Sequence, residues 1–281
     1  MDVVYILSNF FSYPEDGYTF KYYSLDHLVP LIIMLIIILI LYKYRMKIQQ
    51  YKHEKIVRYV IAAVIILTQM SYGWNNAYIG EQMRESLNKV QAPIQASIQK
   101  DLPLSLCGIA MVLAGIMLFI NSKKLFDVLY FWVFCGSSLA LFLPSALKVS
   151  NYDYDFGPTR FRYYQFFIGH IGIVLIIMYM IVVLGHKINK QSLIRSFLWL
   201  NVFAISTLFI NYALGSNYLF LVDPDKTGIT FFPKQDILTL ITFETVALVF
   251  FLLAFLPWYY KEKHIVKNKV SRQHQSIQEV A

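Results

Sequence analysis

Seven stretches of about 20 mainly apolar residues recur along the chain, and a lipid bilayer is the solvent they fit. They cover about 26–44, 56–77, 102–120, 125–147, 164–185, 193–214 and 237–260. A helix needs roughly 20 such residues to cross the hydrocarbon core. An open sheet would leave backbone groups unpaired in lipid, so the spans are read as helices. The expected fold is all-α: a polytopic membrane bundle of seven transmembrane helices within residues 1–260. Residues 261–281 are polar and basic, and read as a disordered tail.

Composition agrees with that reading. Hydrophobic residues make up 57% of the 281 and charged residues 15%, against about 25% charged in a soluble domain. The net charge of +8 raises nucleic acid as a partner, but in a membrane chain basic residues first report topology, so no nucleic acid is expected. Sixteen lysines and arginines fall on one set of connections (43–58, 123–124, 187–195 and 261–272) and nine on the other. The positive-inside rule puts the sixteen in the cytoplasm. The N terminus is then outside and the C terminus cytoplasmic, as an odd number of spans requires, in a multi-pass protein of the cell membrane. Residues 1–24 carry Asp2, Glu15 and Asp16, with no basic region before an apolar core. A retained first helix is therefore expected rather than a cleaved leader. Cys107 and Cys135 are the only cysteines. Neither a disulfide framework nor metal-ligand spacing nor a phosphate loop is visible, so no metal and no cofactor is expected. Oligomeric state is not encoded in any pattern.

Residues 78–101 read as a long outer loop. Leu87, Val90, Ile94 and Ile98 recur in it at helical spacing, so part of it could lie on the membrane surface.

Direction turns sequence position into depth. Cys107 lies about five residues below the outer start of the third span, roughly 8 Å down, and His170 roughly 9 Å down the fifth. His27, Asn211 and Glu244 fall in the same outer half, with Asn217 just beyond. Ionisable groups in spans usually face the bundle interior, so these residues suggest one polar cavity opening outward. Each has a plainer reading: a cysteine as small filler, an asparagine as a bridge between helices, His27 as an interfacial anchor. Cys135, in VFCGSSLALFL, is read as filler. Pairing changes the weighting for Cys107. A nucleophilic thiol must be a thiolate, and an imidazole at its level could take the proton. Ala110 and Ala114 share the face of Cys107, and Gly169 and Gly172 flank His170; small residues let membrane helices approach.

LPLSLCGIAMVLAG, FFIGHIGIVL and NYALGSNYLFL, in this order, resemble the YwaF-like bacterial integral membrane proteins, a family related to the eukaryotic transmembrane protein 164. The resemblance covers roughly residues 20–258. The eukaryotic relative is described as a cysteine-dependent acyltransferase between glycerophospholipids. Its cysteine corresponds to Cys107 and a later histidine to His170. The resemblance therefore implies acyl transfer through a thioester on Cys107, with membrane phospholipid as acyl donor or acceptor.

In that mechanism Asn211, Asn217 or Ser105 could donate to an oxyanion, and Glu244 or His27 could orient His170. Arg160 and Arg162, in PTRFRYY, could hold a lipid phosphate. Lipid hydrolysis is the same chemistry with water as acceptor. Two other classes compete: an outward-open transporter or substrate-binding protein using Glu244 and His170, and a non-enzymatic membrane scaffold.

Overall fold

The computed structural model describes residues 3–14, 17–87, 97–148, 155–223 and 236–278. Among these residues every regular element is helical. In chain order they are α1 (Val3–Phe11), α2 (Leu25–Gln49), α3 (Glu54–Leu87), α4 (Leu106–Ile120), α5 (Lys123–Trp132), α6 (Ser138–Phe142), α7 (Phe161–Val182), α8 (Lys190–Leu214) and α9 (Asp236–Gln278). A single π turn, Val133–Ser137, joins α5 to α6.

Six segments are long and apolar enough to cross a bilayer: Leu25–Gln49, Glu54–Gln82, Lys123–Phe142, Phe161–Val182, Lys190–Leu214 and Ile241–Lys263. The protein is a multi-pass membrane protein. The seventh expected crossing, α4, is shorter. Its 15 residues give about 22 Å against a core of about 30 Å.

Local chemistry explains the boundaries. Ser105 sits in extended conformation and its Oγ accepts from the Gly108 N–H at 3.1 Å, so α4 opens at Leu106 rather than at 102. Asn121, at φ 48°, closes it in the left-handed region. α8 opens with a reciprocal cap between Asn189 and Ser192 and ends at Gly215, φ 63°. The fourth expected span does not run unbroken to 147. The π turn adds a residue, and Pro144 stops the helix at Phe142, because proline lacks an N–H and restricts the residue before it. α3 runs on to Leu87, so helix replaces the first part of the expected loop. The surface helix expected around Val90 and Ile94 falls on 88–96, outside the described residues. α9 continues to Gln278 through most of the segment read as a disordered tail. α1 carries no signal that the span pattern captured.

Small residues set the packing. Ala110 and Ala114 are fully buried on α4. A Cβ on Gly115 would lie 2.6 Å from Ile66 of α3, and one on Gly169 of α7 would lie 2.6 Å from Met111 of α4. Glycine at 115 lets α4 approach the α3 backbone, where a Cβ would also sit 3.0 Å from the Ala62 carbonyl, and glycine at 169 leaves room for Met111. Around this trio, α2, α8 and α9 carry many exposed large apolar side chains, such as Leu39, Phe209 and Leu253, as lipid-facing helices do. Segments expected on one side do converge at one end. There Arg58 reaches the Leu118 carbonyl, Tyr179 reaches Glu54, and Arg195 reaches Asp127.

Candidate functional site

Cys107 is the second residue of α4. The late start of the helix therefore places it inside the first turn, where partial positive charge from unpaired N–H groups is felt. The backbone N–H groups of Leu106 and Cys107 have no acceptor among the described residues, whereas Gly108 donates to its cap. The thiol is partly buried. Its polar partner is the Ser137 hydroxyl, whose Oγ lies 3.7 Å from Sγ. Ser137 itself is fully buried. The π turn aims it: one residue added to a helical turn rotates the side chains beyond it, and such turns recur at functional sites. Gly136 of the same turn leaves room for α4, since a Cβ there would sit 3.1 Å from Leu106 and 3.7 Å from the thiol.

His170 stands on α7, which packs on both α4 and the π turn. Its Nδ1 lies 2.8 Å from the Phe166 carbonyl. A carbonyl can only accept, so Nδ1 carries the hydrogen and the lone pair sits on Nε2. The imidazole is fixed as a base with Nε2 as its working atom. Met111, one turn beyond Cys107, presses on Gly169, next to His170. The two helices thus pack together beside both residues, but among the described residues no hydrogen bond joins thiol and imidazole directly.

The other expected members go elsewhere. His27 is fully buried. Its Nδ1 accepts from the Tyr23 N–H at 2.9 Å and its Nε2–H donates to the Leu141 carbonyl at 2.7 Å, so both nitrogens are occupied by backbone. Glu244 is half-buried and accepts from the Asn201 amide at 3.2 Å, between α8 and α9. Arg160 is buried and donates to Asn9 and Ser12, tying α1 to the start of α7. Arg162 is buried, bonds Asn76 and lies over the Tyr72 ring at 4.2 Å. Asn76 in turn donates to Asp101 at 2.7 Å. Both arginines are committed to protein partners, and Ser105 is committed as the α4 cap.

Asn211 and Asn217 are turn residues. Asn211 Oδ1 accepts from the Ser216 hydroxyl and the Tyr218 N–H, both at 2.8 Å, while its amide donates to the Tyr218 carbonyl. Asn217 Oδ1 accepts from the N–H groups of Val222 and Asp223. These bonds hold Leu219 and Phe220 at φ 58° and 56°, a costly conformation for bulky residues. The product is a latch. The Tyr218 hydroxyl donates to the Ile98 carbonyl at 2.7 Å and accepts from the Leu102 N–H at 2.9 Å. The NYALGSNY motif therefore grips the segment that leads into Cys107.

Ser137 and Tyr218 escaped sequence reasoning as functional residues. The Gly136–Ser137–Ser138 run inside an apolar span was the available signal for the first; nothing local signals the second. Asp127 was also missed. It is a buried carboxylate at the opposite end, accepting from Lys123, Arg195 and Ser192.

A model of the TMEM164 family matches residues 22–256. An uncharacterized protein of Treponema pallidum (strain Nichols) is 30% identical over 126 residues, 44% of this chain. The match spans about half, 49%, of that curated relative. No solved structure matches.

Proposed function

Because the chain belongs to the TMEM164 family, we propose that it is a membrane-embedded lipid acyltransferase working through a thioester on Cys107. Within that family we read it as a YwaF-like member, on its LPLSLC, FFIGH and NYALGSNY motifs, with the basic end in the cytoplasm and the N terminus outside. The carrying observation is the first turn of α4, where a thiol, two uncommitted N–H groups and a buried hydroxyl meet.

Those atoms set the steps. His170 Nε2 takes the proton of the Cys107 thiol, and the thiolate attacks a lipid ester carbonyl. The oxyanion of the tetrahedral intermediate points at the N–H groups of Leu106 and Cys107. These replace Asn211, Asn217 and Ser105, whose polar atoms are committed to local turns and the cap. The ester C–O bond breaks, and the lysolipid oxygen leaves with the proton from His170. A second lipid hydroxyl then attacks the thioester, gives its proton to His170, and takes the acyl group as the thiol re-forms. Ser137 stabilises the thiolate by donating to Sγ. His27 and Glu244 have no part in orienting His170; the Phe166 carbonyl does that.

The test compares two thiols in one protein. Cys107 has the helix N-terminus and Ser137, whereas Cys135 lies inside the π turn with neither. A lipid-like electrophile should label Cys107 at least about ten-fold faster than Cys135. Incubation with phospholipid should leave an acyl adduct in intact mass that Cys107→Ser abolishes. Equal labelling of both thiols, or an adduct that survives Cys107→Ser, refutes the assignment.

A further inference from the structure

A second candidate site lies near the other end of the bundle. A cleft of about 640 Å³ runs between α2, α3 and α7, within the roughly 300–1,000 Å³ usual for ligand pockets. Its deep walls are apolar: Ile37, Leu41, Ile61 and Leu175. Its mouth lies at the α2–α3 turn, beside Lys47 and Tyr51, both exposed. Leu118, on its wall, is three turns beyond Cys107 on α4, about 16 Å along the axis. The cleft is thus separate from the thiol.

Charge at the mouth is one-sided. Glu54, the acidic lining residue, is spent on Arg58 at 3.0 Å and on the Tyr179 hydroxyl. Arg58 also donates to the Leu118 carbonyl at 2.8 Å. What remains uncompensated is Lys47, with Lys43, Lys52 and Lys55 exposed on the same turn region. A second apolar cleft, about 600 Å³, continues along α2 and shares Ile37, Gly172 and Leu175 with the first. Together they run along one face of α2 from Asp26 to Ile48, about 33 Å by helix rise and close to the hydrocarbon thickness.

We propose that this cleft is a binding site for one anionic glycerophospholipid, whose phosphate sits between Lys47 and Tyr51 and one of whose acyl chains runs past Ile61 and Leu175 toward Gly172. An apolar trough with a cationic mouth at headgroup depth fits an amphiphile with a negative head. The lipid fills the seam between α2 and the α3–α7 pair, and so completes the packing of a helix otherwise exposed to the bilayer. This inference does not rest on acyl transfer.

Native mass spectrometry of the full chain in detergent tests it, with phosphatidylglycerol, phosphatidylcholine and oleate supplied separately. The expected result is retention of one phosphatidylglycerol, with at least about ten-fold preference over phosphatidylcholine and no displacement by oleate. Lys47→Ala, an exposed change that leaves the fold intact, should weaken retention about five-fold. Leu175→Trp, which fills the cleft, should weaken retention of any phospholipid. Cys107→Ser should retain phosphatidylglycerol as the wild type does, which separates this site from the catalytic reading. Comparable retention of the two phospholipids, displacement by oleate, or unchanged retention in both Lys47→Ala and Leu175→Trp overturns the proposal.

Discussion

The two ends of this bundle are fastened by different chemistry. At the basic end, ionised groups meet each other: Asp127 with Lys123 and Arg195, and Glu54 with Arg58. At the thiol end, the fastenings named above run to neutral partners, some close in the chain and some distant: His27 to the Leu141 carbonyl, Asn211 and Asn217 to their own turns, Tyr218 to the stretch of chain before α4. Ionised groups occur there too, but the bonds described above join them to neutral partners: Arg160 to Asn9 and Ser12, Arg162 to Asn76, and Asp101 to the Asn76 amide. Ion pairs fasten the basic end, while the hydrogen bond to the thiol itself comes from the neutral Ser137 hydroxyl. In the proposed mechanism an acid beside Cys107 would oppose thiolate formation, whereas the partial positive charge of the α4 N-terminus favours it.

Breaking each end separately is the way to test that contrast. The largest effect belongs to His170. His170→Ala should slow labelling of Cys107 by about 10²–10⁴-fold, the range of a lost general base, with thermal unfolding in detergent little changed. A matching loss of stability would make it a packing residue.

Asp127→Ala should do the reverse. It removes a buried carboxylate and leaves Arg195 and Lys123 without their acceptor, while the Ser192 hydroxyl keeps its bond to Asn189 Oδ1. The cost is about 1.5–3 kcal/mol for lost bonds to a charged group, read as a lower unfolding midpoint. The labelling rate of Cys107 in the folded protein should stay near wild type. If the thiol slows in parallel, the ends are coupled and the contrast fails.

Tyr218→Phe is the sharper probe of the thiol end. It deletes one hydroxyl and with it two bonds to 98–102, worth about 1–3 kcal/mol. The change should appear as faster backbone exchange at 97–105 and a several-fold drop in Cys107 labelling. Exchange around Asp127 should not move.

The smallest effect concerns pH. Burial, together with the neighbouring Lys123, pushes the His186 imidazole below its ordinary value, and Asp127 opposes this only in part. A lowered folded pKa means the unfolded chain takes the proton first. His186 therefore contributes stability above the ordinary histidine pKa, and that contribution is lost as pH falls through and below it. The unfolding midpoint should decline slightly between about pH 7 and pH 5, and His186→Gln should flatten that slope. An unchanged slope removes His186 from the basic-end cluster.

What the sequence made legible depends on the range of each interaction. Apolar runs report on solvent, so the membrane spans could be read from hydropathy alone. Ala110, Ala114 and Gly169 marked packing faces of α4 and α7, because small residues let helices approach. Depth, however, is one coordinate of three. By sequence, His27, Asn211 and Glu244 were expected in the same outer half as Cys107, yet their partners are a carbonyl on α6, a turn, and Asn201. A shared depth does not specify a shared azimuth around the bundle. The π turn was hidden because one added residue leaves hydropathy unchanged. Tyr218 was hidden because its partners lie more than a hundred residues earlier in the chain.

That last separation carries a consequence for how the protein is made. The segment before Cys107 emerges from the ribosome long before Tyr218 exists to grip it, and spans enter the bilayer in order. The first four crossings can be inserted while the entrance to α4 is still untethered. Only when the chain has passed α8 can the latch close and the thiol acquire its final surroundings. The surroundings of Cys107 are thus completed late in synthesis, once Tyr218 and then α9, which packs on the π turn, have been made. Closure of the Tyr218 latch is timed by the order of translation itself.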